Sequence, residues 1–196
     1  MSSKLLGGRH TGLTFVVSAP AGTGKTTLVS MLMDEFPCVK SSISCTTRPI
    51  RPGEIDGVHY IFLSEAEFSK KVEEGEFLEH VTLFGWRYGT SRNIVQKMKE
   101  NGTHVVLVID TQGALQLMGK EPACFIFLLP PSLETLALRL TERGTESQET
   151  IVSRLSEAER EMSMAGAYNY VIVNDDLQVA YQALRSILIA EEHRVR

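Results

Sequence analysis

The chain has 196 residues, a length that fits one domain with a substantial hydrophobic core. Its apolar fraction of 43%, charged fraction of 22% and net charge of −4 are ordinary for a globular protein and exclude a general polyanion-binding surface. We therefore expect no nucleic-acid partner, and no apolar run is long enough to predict a membrane span. Three cysteines without a C-x-x-C pair, and an N-terminus without a secretion signal, favour the cytoplasm.

The first predicted strand is Thr14–Ser18, a short run of β-branched and aromatic residues. A loop of small residues follows it. A helix is then predicted over residues 25–36, because Leu28, Leu32 and Phe36 recur at helical spacing. This order of strand, loop and helix is the context in which a phosphate-binding loop is expected.

Three later runs are almost continuously hydrophobic and are predicted to be buried parallel strands: residues 105–109, 124–129 and 170–173. Three amphipathic helices are predicted near them, the first with Ser132 as N-cap. Their inward-facing positions are expected to be Leu133, Leu136 and Leu140; Ile151, Leu155, Ala158 and Met162; and Val179, Ala183, Leu184 and Ile187. Alternating strands and helices of this kind predict an α/β fold built on a doubly wound parallel sheet.

The segment from residue 41 to residue 88 interrupts this alternation. It contains turns rich in Arg, Pro and Gly, β-like runs at residues 59–62 and 77–81, and a capping box formed by Ser64 and Glu67. We interpret it as a small β-rich insertion within a single domain.

A phosphate-binding loop, or P-loop, is indicated by residues 19–26, which match G-x-x-x-x-G-K-[ST] except that Ala19 replaces the first Gly. Gly22 and Gly24 allow backbone N–H groups to approach phosphate oxygens. Lys25 is expected to reach the β- and γ-phosphates, and the hydroxyl of Thr26 to bind Mg²⁺. The candidate nucleotide site comprises Ala19, Pro20, Ala21, Gly22, Thr23, Gly24, Lys25, Thr26 and Thr27. A chance turn is the alternative, and the flanking strand and helix argue against it.

A second candidate phosphate site is formed by Arg48 and Arg51, which lie three residues apart between Pro and Gly turns. Two guanidinium groups held in this way suit a phosphate. Tyr60 and Tyr88 can add hydroxyl donors. A solvated basic loop is the alternative interpretation.

Glu79 is a candidate for base recognition. One carboxylate can accept from both N1–H and the exocyclic amine of guanine, whereas adenine has an acceptor at N1. A mispaired buried contact of this kind discriminates strongly between bases. From the residue alone, a surface carboxylate is the more frequent interpretation.

Several motifs in one order resemble guanylate kinase over most of the chain, from about Thr14 to Leu188. After the P-loop come S-x-T-T-R-x-x-R-x-G-E-x-x-G-x-x-Y from Ser44 to Tyr60, E-F-L-E at 76–79, Y-G-T at 88–90, D-x-Q-G at 110–113, P-P-S at 130–132 and R-G-T-E at 143–146. The resemblance implies a three-layer P-loop fold with a core of residues 12–40 and 92–196, a GMP-binding insertion of residues 41–91, and a helical lid of residues 139–160.

The same resemblance implies roles for individual residues. The P-loop would hold ATP, and Lys25, Arg48, Arg143 and Arg154 would act on the transferring phosphoryl group. The GMP-binding residues would be Ser44, Arg48, Arg51, Glu54, Tyr60, Glu79, Tyr88, Thr90 and Asp110.

Asp110 follows a predicted strand and is a second candidate for the Mg²⁺ site, beside Thr26. The family often carries another Asp two residues earlier, where this chain has Val108. Asn174 begins an Asn-Asp-Asp turn that resembles the family's adenine-side loop, although such a turn also caps ordinary helices.

The expected reaction is phosphoryl transfer from ATP to GMP and dGMP, with Mg²⁺, in a protein that is a monomer or homodimer. One alternative is a scaffold module that has lost activity, and the intact P-loop argues against it. Another is a kinase for a different acceptor, which Glu79 argues against.

Overall fold

The computed structural model describes residues 5–142 and 148–195. The strands in these ranges are β1 Thr14–Ser18, β2 Val39–Ser41, β3 Cys45–Thr46, β4 Ile61–Phe62, β5 Phe77–Leu83, β6 Trp86–Ser91, β7 His104–Val108, β8 Ala123–Leu129 and β9 Tyr170–Val173. The helices are α1 Lys25–Glu35, α2 Glu65–Glu73, α3 Arg92–Glu100, α4 Thr111–Leu117, α5 Leu133–Glu142, α6 Gln148–Ser163 and α7 Leu177–Glu192, with a 3-10 turn at Ala165–Ala167.

The main sheet is parallel and has the strand order β2-β7-β1-β8-β9. The central strand β1 is buried throughout and pairs with β7 on one side and β8 on the other. Its carboxyl end leads into the P-loop, and the carboxyl end of the neighbouring β7 leads to Asp110. Ligands of open α/β sheets bind at such an edge, where the strand order changes direction. The predicted doubly wound parallel sheet is confirmed.

Helices cover both faces of this sheet. One hydrophobic cluster packs α1 and α7 against it through residues such as Leu28, Leu32 and Leu184. A second cluster lies on the opposite face and includes Val95 of α3 and Leu117 of α4. Burial on both faces explains why the strands are almost uniformly apolar.

The insertion forms its own four-stranded sheet, in the order β4-β3-β6-β5. Helix α2 packs against it through Phe68, which stacks on Phe77. The capping box of α2 is present: Glu67 N–H donates to the Ser64 hydroxyl, and Ser64 N–H donates to the Glu67 carboxylate. Strands β5 and β6 form a hairpin closed by Phe84 and Gly85.

Several sequence predictions differ from the structure in detail. The predicted strand at residues 105–109 begins one residue earlier, at His104. Val179 was expected to face inward on α7 but is 67% exposed, because Ala180, Leu184 and Leu188 form the buried face instead. The short strand β2, the strand β6 and the helices α3 and α4 were not predicted from periodicity.

The three cysteines are free thiols, as expected. Within the described ranges, no helix combines the length and hydropathy needed to cross a membrane. The predicted lid, residues 139–160, would take in the end of α5 and most of α6, and Arg143 lies outside the described residues.

Candidate active site

A cavity of about 480 Å³ lies between the P-loop, the β5–β6 hairpin and α6. We call it the central cavity. Its volume is in the range of sites that enclose small ligands. The sequence-predicted residues that line it are Ala19, Pro20, Ala21, Gly22, Gly24, Lys25, Thr26, Thr27, Ser44, Arg51, Tyr60, Glu79, Tyr88, Asp110 and Arg154. Thr23, Arg48, Glu54, Thr90 and Asn174 do not line it. Thr23 and Asn174 line a separate pocket of about 350 Å³ instead.

The P-loop has the backbone that its glycines predict. Gly22 and Gly24 have φ values of 89° and 98°, in the left-handed region. Gly24 is also the N-cap of α1, so the positive end of that helix dipole faces the loop. Ala19 is buried and has no positive φ, so a residue with a Cβ is tolerated at the position where the motif has Gly.

Lys25 is the cation of the P-loop. Its ammonium donates to the backbone carbonyl of Ala19. Burial lowers the pKa of Lys25 to about 8, while the negative charges of Glu161 and Asp110 act in the opposite direction. A phosphate in the central cavity would add negative charge beside this lysine and favour its protonated form further.

Asp110 lies beside Lys25 at the carboxyl end of β7. Its carboxylate accepts from Gly113 N–H at 3.0 Å and caps α4. Burial raises the pKa of Asp110, and the hydrogen bonds and Lys25 oppose that rise. Val108 lines the same cavity, so the position of the absent second acid is apolar here.

Glu161 of α6 lines the central cavity and was missed by the sequence analysis. Its carboxylate accepts from the Thr111 hydroxyl at 3.4 Å. Burial raises the pKa of Glu161 to about 7, and the charge of Lys25 opposes this. The signal was available: Glu161 is seven residues after Arg154, and so lies on the same face of one helix.

A pH-dependent effect on stability follows from Glu161. Its carboxyl holds its proton up to about pH 7 when folded but titrates near 4.5 when unfolded, so stability falls as the pH rises between these values. Glu161→Gln is therefore expected to raise the Tm of the ligand-free protein at pH 8 and to change it little at pH 5. Scanning calorimetry at both pH values tests this, with Glu159→Gln on the exposed face of α6 as the control. A variant less stable than wild type at pH 8 would contradict it.

Glu79 is 3% exposed, which overturns the surface-carboxylate alternative. The β5–β6 register pairs it with Thr90, whose hydroxyl donates to Glu79 Oε1 at 2.5 Å. Burial raises the pKa of Glu79 to about 7. Val81 and Leu83 follow on the same face of β5 and line the cavity with apolar surface.

Gly113 of α4 makes room for the Glu79 carboxylate. A Cβ on Gly113 would lie 2.6 Å from Glu79 Oε2 and 3.2 Å from Asp110 Oδ1. The D-x-Q-G motif therefore ends in Gly because a second carboxylate occupies the space of a side chain.

Gly113→Ala is expected to lower kcat/KM for GMP by about 10- to 100-fold, because it displaces the Glu79 carboxylate from its position. The fold should not suffer, since Ala favours a helix over Gly by about 1 kcal/mol. Steady-state kinetics and thermal unfolding check both parts. Gly166→Ala, at a site with no atom within 4 Å of the new Cβ, is the matched control. Unchanged GMP kinetics in Gly113→Ala would refute the steric argument.

The two arginines of the insertion differ in their surroundings. Arg48 is buried and forms a bidentate ion pair with Glu54, at 2.8 and 3.0 Å, and its guanidinium lies 5.2 Å from the centre of the Tyr60 ring. The same pair lowers the pKa of Glu54 to about 2. Arg51 lines the central cavity, and its backbone N–H donates to Glu54. Glu54 thus holds both arginines in place.

Asn174 supports the P-loop from behind. Its side-chain amide donates to the carbonyl of Thr23 at 2.7 Å, and a Cβ on Gly24 would lie 2.6 Å from that amide nitrogen. The turn also caps α7, because Asp176 accepts from Gln178 N–H and Val179 N–H. The predicted adenine contact of Asn174 stays a prediction.

Fold and site together define a P-loop protein of the α/β class, in which a phosphate cradle faces a second polar site across one cavity. The Guanylate kinase family model matches residues 11–191. Guanylate kinase from Protochlamydia amoebophila is 57% identical over 192 residues, which covers 97% of this chain and 98% of the relative. The corresponding protein from Chlamydia felis is 49% identical over 92% of this chain and 89% of its own. The chain belongs to the guanylate kinase family.

Solved structures agree with this assignment. The crystal structure of guanylate kinase from Anaplasma phagocytophilum matches with a TM-score of 0.76 and 34% identity, over 94% of this chain and 88% of that one. The SH3-kinase fragment of tight junction protein 3 matches with a TM-score of 0.50 at 14% identity, over 94% and 59%, and shows shared fold alone.

Proposed function

We propose that this protein transfers the γ-phosphoryl group of ATP to GMP, and also to dGMP, giving ADP and the nucleoside diphosphate. The observation that carries the proposal is the placement of Glu79 and Lys25 on the same cavity, one suited to guanine and the other to phosphate. The reaction belongs to nucleotide recycling and the supply of GTP.

The donor site is the P-loop. Its backbone N–H groups and Lys25 hold the β- and γ-phosphates of ATP. Arg154, which lines the central cavity, and Arg143 stabilise the negative charge of the transferring group. Arg139 donates to the carbonyl of Asn174 and supports the turn on the adenine side.

The acceptor site is the face of the insertion. Glu79 accepts from guanine N1–H and the exocyclic amine, with Ser44 and Thr90 beside it. Arg51, Tyr60 and Tyr88 bind the GMP phosphate, and Arg48, which is buried and paired with Glu54, adds its positive charge. Because dGMP has the same base and phosphate, these groups accept it as well.

Two groups of the cavity fit a Mg²⁺ ion held mainly by the substrate. Mg²⁺ at nucleotide sites takes one or two protein ligands and completes its shell with phosphates and water. The Thr26 hydroxyl is exposed at the start of α1, and Asp110 lies at the carboxyl edge of the same sheet. When bound there, the metal would neutralise charge on the β- and γ-phosphates.

The reaction requires no covalent bond between the protein and a substrate. A GMP phosphate oxygen attacks the γ-phosphorus in line with the departing ADP. The protein aligns two highly charged reactants and excludes water, which would otherwise hydrolyse ATP. Residues of the P-loop, the hairpin and α6 surround the reacting groups from three sides.

A coupled assay of ADP production, with and without GMP, tests the proposal. We expect turnover that depends on GMP, with AMP and UMP as poor acceptors. A scaffold module with this fold would show no GMP-dependent turnover, and a kinase for another acceptor would prefer AMP or UMP.

The setting of the reaction is proposed to be the cytoplasm, in keeping with three free thiols. The protein would act as a monomer or a homodimer, since the acceptor and donor groups named above all belong to one chain.

A further inference from the structure

We propose that Phe84, at the tip of the β5–β6 hairpin, is a positioning residue that holds Arg154 of the lid helix over the reacting phosphates. The ring makes a cation–π contact with the arginine: the guanidinium carbon lies 5.2 Å from the ring centre. Both residues line the central cavity. The inference rests on the proposed role of Arg154 in phosphoryl transfer.

The backbone conformation at Phe84 is the first observation that indicates a functional role for its side chain. Phe84 has φ 51° and Gly85 has φ 81°, so the two residues form the tight turn between Leu83 and Trp86. Such a turn favours Asn-Gly or Asp-Gly, because a bulky side chain is disfavoured at positive φ. Among the described residues, Phe84 is the one non-glycine with a positive φ. Strain of this kind points to a functional constraint when the side chain has a specific contact.

Exposure of the ring is the second sign. The Phe84 side chain is 63% exposed, so it adds little to the hydrophobic core of the insertion. A buried ring would explain the choice of Phe through packing, and this one does not. The ring instead contacts a cation on α6, the helix of the predicted lid, which lies outside the insertion.

The position of the hairpin gives the contact a consequence. The same two strands carry Glu79, Tyr88 and Thr90, the residues proposed to bind the acceptor. Binding of GMP to this hairpin therefore fixes the position of the hairpin tip, including Phe84, relative to α6. The ring then selects one position of the Arg154 side chain, so that acceptor binding favours the arrangement needed for transfer.

The test compares substitutions that separate the ring from the turn. Phe84→Asn keeps the turn and removes the ring; Phe84→Leu keeps apolar bulk without a π face; Phe84→Tyr keeps the ring. We expect Phe84→Asn and Phe84→Leu to lower kcat about tenfold, equivalent to about 1.4 kcal/mol, with KM for GMP within about twofold of wild type. Phe84→Tyr should stay close to wild type, and Phe84→Asn should not lower the Tm.

A double-mutant cycle with Arg154→Ala completes the experiment. Phe84→Asn should cause no further loss of kcat when Arg154 is already Ala, because the ring acts through the arginine. Trp86→Ala removes another aromatic ring from the same hairpin, one that does not line the cavity, and should leave kcat unchanged.

Three outcomes would overturn the inference. Wild-type kcat in Phe84→Asn, alongside an impaired Arg154→Ala, would show that the arginine acts without the ring. Full activity of Phe84→Leu would show that an apolar side chain of similar size positions Arg154 without a π face. Additive losses in the double mutant would show that the two residues act separately. Wild-type activity of Arg154→Ala would instead refute the proposed role of that arginine, so the two failures are distinguishable.

Discussion

Replacement of Lys25 by Met is expected to lower kcat for ADP formation by about 10³-fold, because the lysine supplies positive charge where negative charge develops in phosphoryl transfer. Met keeps the length of the side chain and removes the ammonium. The ligand-free fold should survive, since burial already lowers the pKa of Lys25 to about 8 and so disfavours the charged form. Coupled kinetics and thermal unfolding of the same preparation measure the two effects.

The matched control for this experiment is Lys40→Met, which removes an exposed ammonium from β2. It should leave kcat unchanged. Turnover of Lys25→Met within tenfold of wild type would contradict the role given to the P-loop lysine, and a collapse of its Tm would contradict the argument from burial.

Replacement of Glu79 by Gln is expected to lower kcat/KM for GMP by about 10²- to 10³-fold and to leave KM for ATP nearly unchanged. The amide places a donor against one of the two guanine donors in a buried site, where a mispaired polar group is costly. Inosine monophosphate lacks the exocyclic amine and loses less, so the preference for GMP over inosine monophosphate should shrink. Steady-state kinetics with the two acceptors measure that ratio.

The pH profile of the wild-type protein offers a second readout of Glu79. Burial raises its pKa to about 7, so below that pH the carboxyl is mostly protonated and cannot accept from both guanine donors. We expect kcat/KM for GMP to fall as the pH drops below about 7, and this fall to be shallower in Glu79→Gln, where Glu161 and the substrate phosphates still titrate. Glu76→Gln, which removes a carboxylate paired with Lys71 outside the cavity, is the control. GMP use at wild-type efficiency in Glu79→Gln would show that the guanine assignment is wrong.

Local patterns predicted the parts of the protein that depend on local rules. The P-loop was recognisable because positive φ at Gly22 and Gly24, and a lysine at a helix start, are needed for any such loop. Buried parallel strands were recognisable because burial on both faces requires continuous apolar residues. Strand β6 was missed, since Trp86–Ser91 is a polar, half-exposed strand that hydrogen bonding to β5 defines. Val179 was misplaced because spacing alone does not say which side of α7 meets the sheet.

The family motifs named most of the residues that line the central cavity, but not how they are held. The sequence did not distinguish the roles of Arg48 and Arg51. In the structure, Arg48 is buried in an ion pair with Glu54, whereas Arg51 lines the cavity. Glu161 and Gly113 acquire their importance from neighbours that are distant in the chain, Lys25 and Glu79 respectively.

By itself, the sequence determined the phosphate cradle and the class of fold, because both follow from backbone geometry and hydrophobic period. Tertiary structure alone decided that Glu79 is a buried acceptor rather than a surface charge, since the register of β5 on β6 and the packing of α4 remove it from water. It also decided that the hairpin tip meets α6 at Phe84 and Arg154, a contact that no local pattern encodes. Contacts between residues of different elements depend on how those elements pack together, and that packing is determined by the whole hydrophobic core.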